Sequence, residues 1–170
     1  NGALIQFCLE DRVAKDFEQC FKDAQYHSSE GWHGIPATCF RLAAISACRI
    51  VGYKMTLAKL AIFIEPDGYD KEDPTIPLVR IVGPEPIMRI HPARNANGSM
   101  DLRARPFWDT WRATLRVRFD ADLFGLEDVV NLMSRVGIQV GIGEGRPDSR
   151  ESAGYGWGCF RVAAEGEKLH

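Results

Sequence analysis

Arg112-Ala-Thr-Leu-Arg-Val-Arg-Phe-Asp120 decides the fold class. Its side chains alternate strictly, with Arg112, Thr114, Arg116 and Arg118 on one parity and Ala113, Leu115, Val117 and Phe119 on the other. A period of two is that of a strand buried on one side only, so one face meets a core and the other is wet and basic. Directly downstream, Leu126 to Val136 has helical spacing, with Glu127 and Asp128 in the first turn, Arg135 in the last and Gly137 as the stop. A half-wet strand followed at once by an amphipathic helix indicates an antiparallel sheet covered by helices on one face, an α+β fold.

Upstream, Pro36 and Gly52 punctuate a second helix whose narrow face carries Phe40, Ala43, Ala44, Ala47 and Val51. Residues this small let a helix lie close against a sheet. Arg41 and Arg49 fall off that stripe and are expected to be free for solvent or a ligand. Val13, Phe17 and Phe21 mark a helix over Leu9 to Ala24, and Gln25 to Gly34 reads as a polar loop carrying Trp32 and His33. Strands are expected at Met55 to Glu65, Leu78 to Val82, Ile87 to His91, Ile138 to Ile142 and Cys159 to Ala164. The stretch Pro66 to Trp111 holds seven of the nine prolines and is expected to project as an inserted arm, with Phe107, Trp108 and Trp111 at its base either as interface anchors or folded back into their own core.

The 170 residues suit one domain, 1–170, with 66–111 as the arm; no internal repeat or low-complexity tract divides it. The longest apolar run, Leu60 to Ile64, is far short of the roughly 20 residues that span a bilayer, so no membrane partner is expected. With no signal-peptide pattern, a cytoplasmic place is the expectation. Five cysteines, none in a CxxC pair, indicate free thiols; Cys39 and Cys48 would lie on opposite faces of one helix.

Net charge is −2, yet arginine outnumbers lysine 15 to 6. Between Arg80 and Arg118 stand eight arginines, no lysine and three acids, a local charge of +5. Arginine in preference to lysine suits bidentate contact to phosphate and stacking on bases. The same run would also serve as a solvated face, or in stacking of subunits.

Gly141-Ile-Gly-Glu-Gly-Arg146 and Gly154-Tyr-Gly-Trp-Gly158 form the densest glycine block. Glycines of this kind either cradle anionic oxygens with successive N–H groups or close a tight hairpin. GK[ST] is absent, Arg146 replaces the last glycine of a dinucleotide fingerprint, and Pro147 opposes the required helix, so no nucleotide cofactor is expected. Arg146, Arg150, Tyr155 and Trp157 beside the glycines favour phosphate contact and stacking. His27, His33 and His91 lack zinc-ligand spacing, and Asp67, Asp70 and Asp73 lack that of a calcium loop, so no metal is expected.

His33-Gly-Ile-Pro-Ala-Thr-Cys-Phe-Arg-Leu-Ala-Ala44 resembles the signature opening the first helix of the RAMP superfamily of CRISPR systems. The late glycine block is similar to that superfamily's glycine-rich loop, and Arg112 to Gly145 resembles the strand and helix run of its Cas7-type backbone subunits. The resemblance implies a ferredoxin-like (RRM-like) unit that binds RNA along its sheet and helices, stacks into a helical homo-oligomer beside other CRISPR subunits, and uses a thumb, here the 66–111 arm. It places RNA contacts at Thr38, Arg41, Gly143, Gly145, Arg146, Gly154 and Gly156, in a bacterial cell or encoded by a phage. Together with the arginine and aromatic reading, the expected nucleic-acid-binding set also includes Arg94, Arg103, Arg105, Arg116, Arg150, Tyr155 and Trp157. Two alternatives stand beside this one: a Cas6-like metal-independent endoribonuclease using His33, and a viral Cas7 mimic that blocks or caps assembly.

Overall fold

The computed structural model describes residues 14–95, 97–148, 155–164 and 167. It is an α+β fold with antiparallel pairing throughout. Helix α1 (Phe17–Asp23) begins where the Asp16 carboxylate accepts the Gln19 N–H at 3.0 Å, so the cap shortens the expected Leu9–Ala24 helix, whose residues 9–13 lie outside the described ones. Strands β1 (Tyr26–His27) and β2 (His33–Pro36) replace the expected Gln25–Gly34 loop. Both are too short to show a period.

Helix α2 (Ala37–Val51) follows its punctuation: Pro36 precedes it, and Gly52 ends it in the left-handed region at φ 77°. Phe40, Ala43, Ala44 and Ala47 are all buried. Residues 55–65, expected as one strand, divide into helix α3 (Met55–Ala61) and strand β3 (Ile62–Glu65). Ala58 and Ala61 are buried while Leu57 and Leu60 are exposed, a helical spacing that the short apolar run conceals.

Strands β4 (Gly68–Tyr69) and β5 (Pro77–Arg80) join β1 and β2 in a four-stranded sheet of order β1-β2-β5-β4. Strands β6 (Ile87–Arg94) and β7 (Met100–Phe107) form an eight-pair hairpin by themselves. The first part of 66–111 is thus sheet and the second a hairpin. Strand β8 (Arg116–Phe119) pairs with β3. A Val82–Arg112 bridge ties its approach to the end of β5.

Helix α4 (Leu126–Arg135) is capped by the Asp128 carboxylate, which accepts the Gly125 N–H at 2.9 Å and the Tyr53 hydroxyl at 2.6 Å. Gly137 does not stop it. The chain continues as a π turn, Val136–Val140, in place of the expected Ile138–Ile142 strand. Val136 and Val140 are fully buried there, so core packing overrides the preference of a β-branched run for a strand. Cys159–Ala164, also expected as a strand, forms none; Phe160 instead donates its N–H to Gly137 O at 2.9 Å and turns its ring toward Phe40 and Trp111.

The core lies between α2, α3, α4, the π turn and the inner face of β3–β8. No helix among the described residues is long and apolar enough to cross a membrane. The described cysteines, Cys20, Cys39, Cys48 and Cys159, are free thiols.

Candidate nucleic-acid interface

A cleft of about 1090 Å³ runs between α1, α2 and the inner face of the β6–β7 hairpin, and the glycine loop after the π turn closes one side. Strand alternation sets what that hairpin face presents. The register pairs Arg89 with Arg105 and His91 with Arg103, and Phe107 ends the same row. All five side chains line the cleft. Three cationic and two aromatic side chains therefore share one wall because they share one strand parity.

The arginines of that wall converge on the glycine loop. Glu144 takes the Arg103 guanidinium on Oε1 at 2.6 Å and the Arg105 Nε on Oε2 at 2.7 Å. Arg103 also donates to Asn95 Oδ1 at 2.7 Å, which fixes its fork. Burial pushes the Glu144 carboxyl up, but the bonds from Arg105 and Arg103 outweigh it and hold the group below its ordinary value. His91 lies behind this pair with 7% of its side chain exposed and its Nε2 3.9 Å from Glu144 Oε2. Neither ring nitrogen has a hydrogen-bond partner among the described residues, and burial holds its pKa down against the pull of Glu144. The edges and faces of Tyr155 and Trp157 enclose it, with centroids 5.9 and 5.0 Å away.

The glycine block brings chain against chain. A Cβ on Gly158 would lie 1.8 Å from Ile142 O, and one on Gly137 2.1 Å from Phe160 O. The N–H groups of Ile142 and Trp157 are used up on Gly158 O and Gly145 O. What the glycines permit at these positions is the crossing of residues 137–145 over 156–160. Gly143 (φ 73°) and Gly156 (φ 72°) differ, since a side chain there would meet nothing within 4 Å. Arg146 folds back to donate to Gly143 O at 2.9 Å. Tyr155 stacks on Trp157 at 4.3 Å, and Arg89 lies 4.0 Å over Phe107 and 5.3 Å over Trp157.

No family model matches the chain, and no curated protein or solved structure is significantly similar to it.

The structure brings together Arg94, Arg103, Arg105, Gly143, Gly145, Arg146 and Trp157 around the cleft. Tyr155 stands behind them, stacked on Trp157, and Gly156 lies between the two in the chain. Arg150 and Gly154 lie outside the described residues. Thr38 is exposed and away from the cleft. Arg41, expected to be free, donates to the carbonyls of Ile62 and Lys59, where it caps the C-terminus of α3, and lies 5.0 Å over Phe63. Arg49 likewise binds Asp148, which also accepts the Ser46 hydroxyl. Arg116 binds Pro66 O and, at 3.0 Å, Asp67. Among the aspartates, Asp70 is buried and accepts the N–H groups of His27, Glu72 and Asp73, so it holds a turn together.

Phe107, Trp108 and Trp111, expected to anchor an interface or to fold back, pack within the chain against Trp157, His33 and Phe160. His33 is outside the cleft, and two groups stand beside it that sequence spacing does not place: Glu85 at 3.1 Å from Nε2 and the His27 ring at 4.5 Å. Sequence reasoning also misses Arg89, His91, Asn95 and Glu144. The pairing of Arg89-x-His91 with Arg103-x-Arg105 across a hairpin, and a lone acid between two glycines, are the signs that point to them.

Proposed function

We propose that the protein is a non-catalytic nucleic-acid-binding subunit, with RNA as the favoured strand, that holds a single strand in the cleft and assembles along it. The observation that carries this reading is a single hairpin wall bearing Arg89, Arg103 and Arg105 in one row with Phe107, opposite Trp157. Cations for phosphate and rings for bases are what a sequence-tolerant single-strand groove needs. The resemblance to Cas7-type subunits supports the same reading.

Self-association into a helical homo-oligomer, beside other CRISPR subunits, belongs to the proposal. It draws on the outer face of the hairpin, where Met88, Ile90, Met100 and Leu102 are 38%, 46%, 58% and 50% exposed. An apolar stripe left uncovered by the described residues suits a contact with a second copy. Fluorescence anisotropy with a labelled oligouridylate is the test: saturable binding that weakens steeply with salt is expected, and no binding at low salt refutes the reading. Light scattering with and without the oligonucleotide tests assembly; a monomer in both favours the capping role instead.

Cleavage is a second reading, favoured by the His27–His33–Glu85 group, in which two imidazoles and a carboxylate meet at the surface. Chelator-resistant cleavage of labelled RNA that is lost in His33→Ala would establish it. Intact RNA after long incubation rejects it.

A further inference from the structure

We infer that Glu144 is an internal stand-in for a phosphate group: a latch that fills an anion site made by Arg103, Arg105 and His91, and is displaced when a ligand enters. The inference rests on the nucleic-acid reading of the cleft only for the source of that phosphate, a diester in a strand.

The geometry is that of a built receptor with its own chain in it. Arg103 and Arg105 stand two residues apart on β7, so both point to the same face, and each gives one charge-assisted bond to a different oxygen of a single carboxylate. Asn95 holds the far side of the Arg103 fork, which keeps that guanidinium in place whether or not Glu144 is present. A phosphate diester offers two non-bridging oxygens that two such donors can take in the same manner.

A second observation points to a ligand independently. His91 is buried, faces the cleft and leaves both ring nitrogens without a hydrogen-bond partner among the described residues. Buried polar atoms are nearly always satisfied, so an imidazole left open toward a cleft is one that a ligand completes. At 3.9 Å, Glu144 is near enough to influence Nε2 and too far to bond it. Glu144 engages two of the three groups; a diester seated nearer to His91 can place one non-bridging oxygen to accept from both Arg105 and His91 Nε2–H.

The loop that carries the latch is built to release it. Glu144 stands between Gly143 and Gly145, both at positive φ, and space is open beside Gly143. The crossing that fixes the loop is made by its neighbours, Ile142 with Gly158 and Gly145 with Trp157, and does not involve the Glu144 side chain. Its withdrawal therefore leaves the wall of the cleft in place. A self-occupied site weakens the apparent affinity for ligand by the fraction of time it is open.

Glu144→Gln is the direct test, titrated with two probes, tripolyphosphate and a labelled oligouridylate. Both are expected to bind about tenfold tighter to the variant than to the wild type, the ratio for a latch closed about nine-tenths of the time. Adding Arg103→Ala and Arg105→Ala should abolish that gain. A gain with tripolyphosphate but no oligouridylate binding to either protein supports the latch and refutes the nucleic-acid reading. Equal or weaker binding of both probes to a folded variant overturns the latch and leaves that reading standing. Should Glu144→Gln not fold, the wild type decides: the Arg105 Nε–H resonance is expected to move saturably as tripolyphosphate is added, and a resonance unmoved at saturation overturns the inference.

Discussion

Two antiparallel ribbons carry arginines in alternation, and only one lines the cleft. On β3–β8 the register sets Arg118 opposite Phe63 and Arg116 opposite Glu65. Arg118 lies 3.6 Å from Glu65 and 5.2 Å over Phe63, while Arg116 binds Asp67. Those cations are matched by carboxylates on their own ribbon or just beyond it. On β6–β7 the cross-strand partners are His91 with Arg103 and Arg89 with Arg105, the latter two like charges face to face. Such pairs repel across a strand unless something else meets them. Glu144 from a distant loop and the rings of Phe107 and Trp157 do so here. Counting arginines, two on β8 and four on β6–β7, does not tell which of them are met within the ribbon. What separates the ribbons is whether the neighbouring strand supplies the counter-charge or leaves it to be supplied from outside.

The largest expected effect removes the wall that the second ribbon leans on. Gly158→Ala puts a methyl 1.8 Å from Ile142 O in a residue at φ 70°, and neither backbone can yield without uncrossing the chains. A loss of more than about 3 kcal/mol in urea unfolding is expected. Gly143→Ala shares the positive φ but meets nothing within 4 Å, and should cost about 1–2 kcal/mol. Equal costs for the two would mean that the crossing is not what these glycines serve.

Next in size is the contrast between the ribbons themselves. Arg103→Ala with Arg105→Ala should weaken oligouridylate binding about thirtyfold, since charge-assisted bonds of this type contribute roughly 1.5–3 kcal/mol each and part is already given up in displacing Glu144. Arg116→Ala with Arg118→Ala should weaken it less than about threefold, the scale of a distant surface charge. Equal losses measured by anisotropy would erase the distinction between the ribbons and return the weight to the strand face that alternation alone suggests.

How much of this is legible in the sequence follows from where the deciding interactions lie. The 37–51 helix and the 112–120 alternation are readable because their signals are local: a proline and a glycine as punctuation, small residues on one stripe, a strict period of two. Burial bears out that alternation, with Ala113, Leu115, Val117 and Phe119 half-buried and Arg112, Thr114, Arg116 and Arg118 exposed. Val136–Val140 misleads because a β-branched run signals a strand, whereas its neighbours in space hold it as a π turn. Residues 55–61 mislead for want of length. In the site, Arg103 and Arg105 can be named from sequence but their counter-charge cannot, because Glu144 is about 40 positions away and nothing local links them. His91 looks like one more loop histidine. Only the hairpin register, which has no local sign beyond Asn95-x-x-Gly98, turns it toward the arginines.

A smaller effect concerns acid. His91 and His27 are both held below the ordinary imidazole value, each chiefly by burial, with His33 adding to the depression at His27. The unfolded chain takes up these protons near pH 6.5, while the folded chain resists until lower pH. The unfolded state therefore binds more protons in that window, and stability, complete above about pH 6.5, falls as the pH is lowered toward the folded values. Glu144 and Asp148, held below the carboxylate range, add their loss only at pH values under those of free carboxyls. The melting temperature is expected to drop on going from neutral to mildly acidic buffer, and less in His91→Asn. An identical drop in that variant would assign the effect to the other histidines and remove His91 from the buried wall of the second ribbon.

The smallest effect falls on one residue at the open end of that ribbon. Arg94 closes β6 opposite Met100, beside the turn in which Asn95 and Ser99 bond to each other; its strand parity is that of the outer face, and at the end of the strand it stands at the rim of the cleft. No carboxylate among the described residues lies within ion-pair distance of it, in contrast to Arg103 and Arg105. With no internal pair to break and no fork held by a neighbour, Arg94→Ala should leave the melting temperature unchanged and weaken oligouridylate binding only about threefold. The salt dependence is the sharper readout. Removing one cation that pairs with a phosphate of a single strand reduces the slope of log affinity against log salt by about 0.7, whereas a change in cleft shape lowers affinity at every salt concentration alike. A slope reduced by that amount makes Arg94 a phosphate-binding residue at the rim of the cleft, outside the row. An unchanged slope with weaker binding would end the cleft at Arg103 and shorten the strand it can hold.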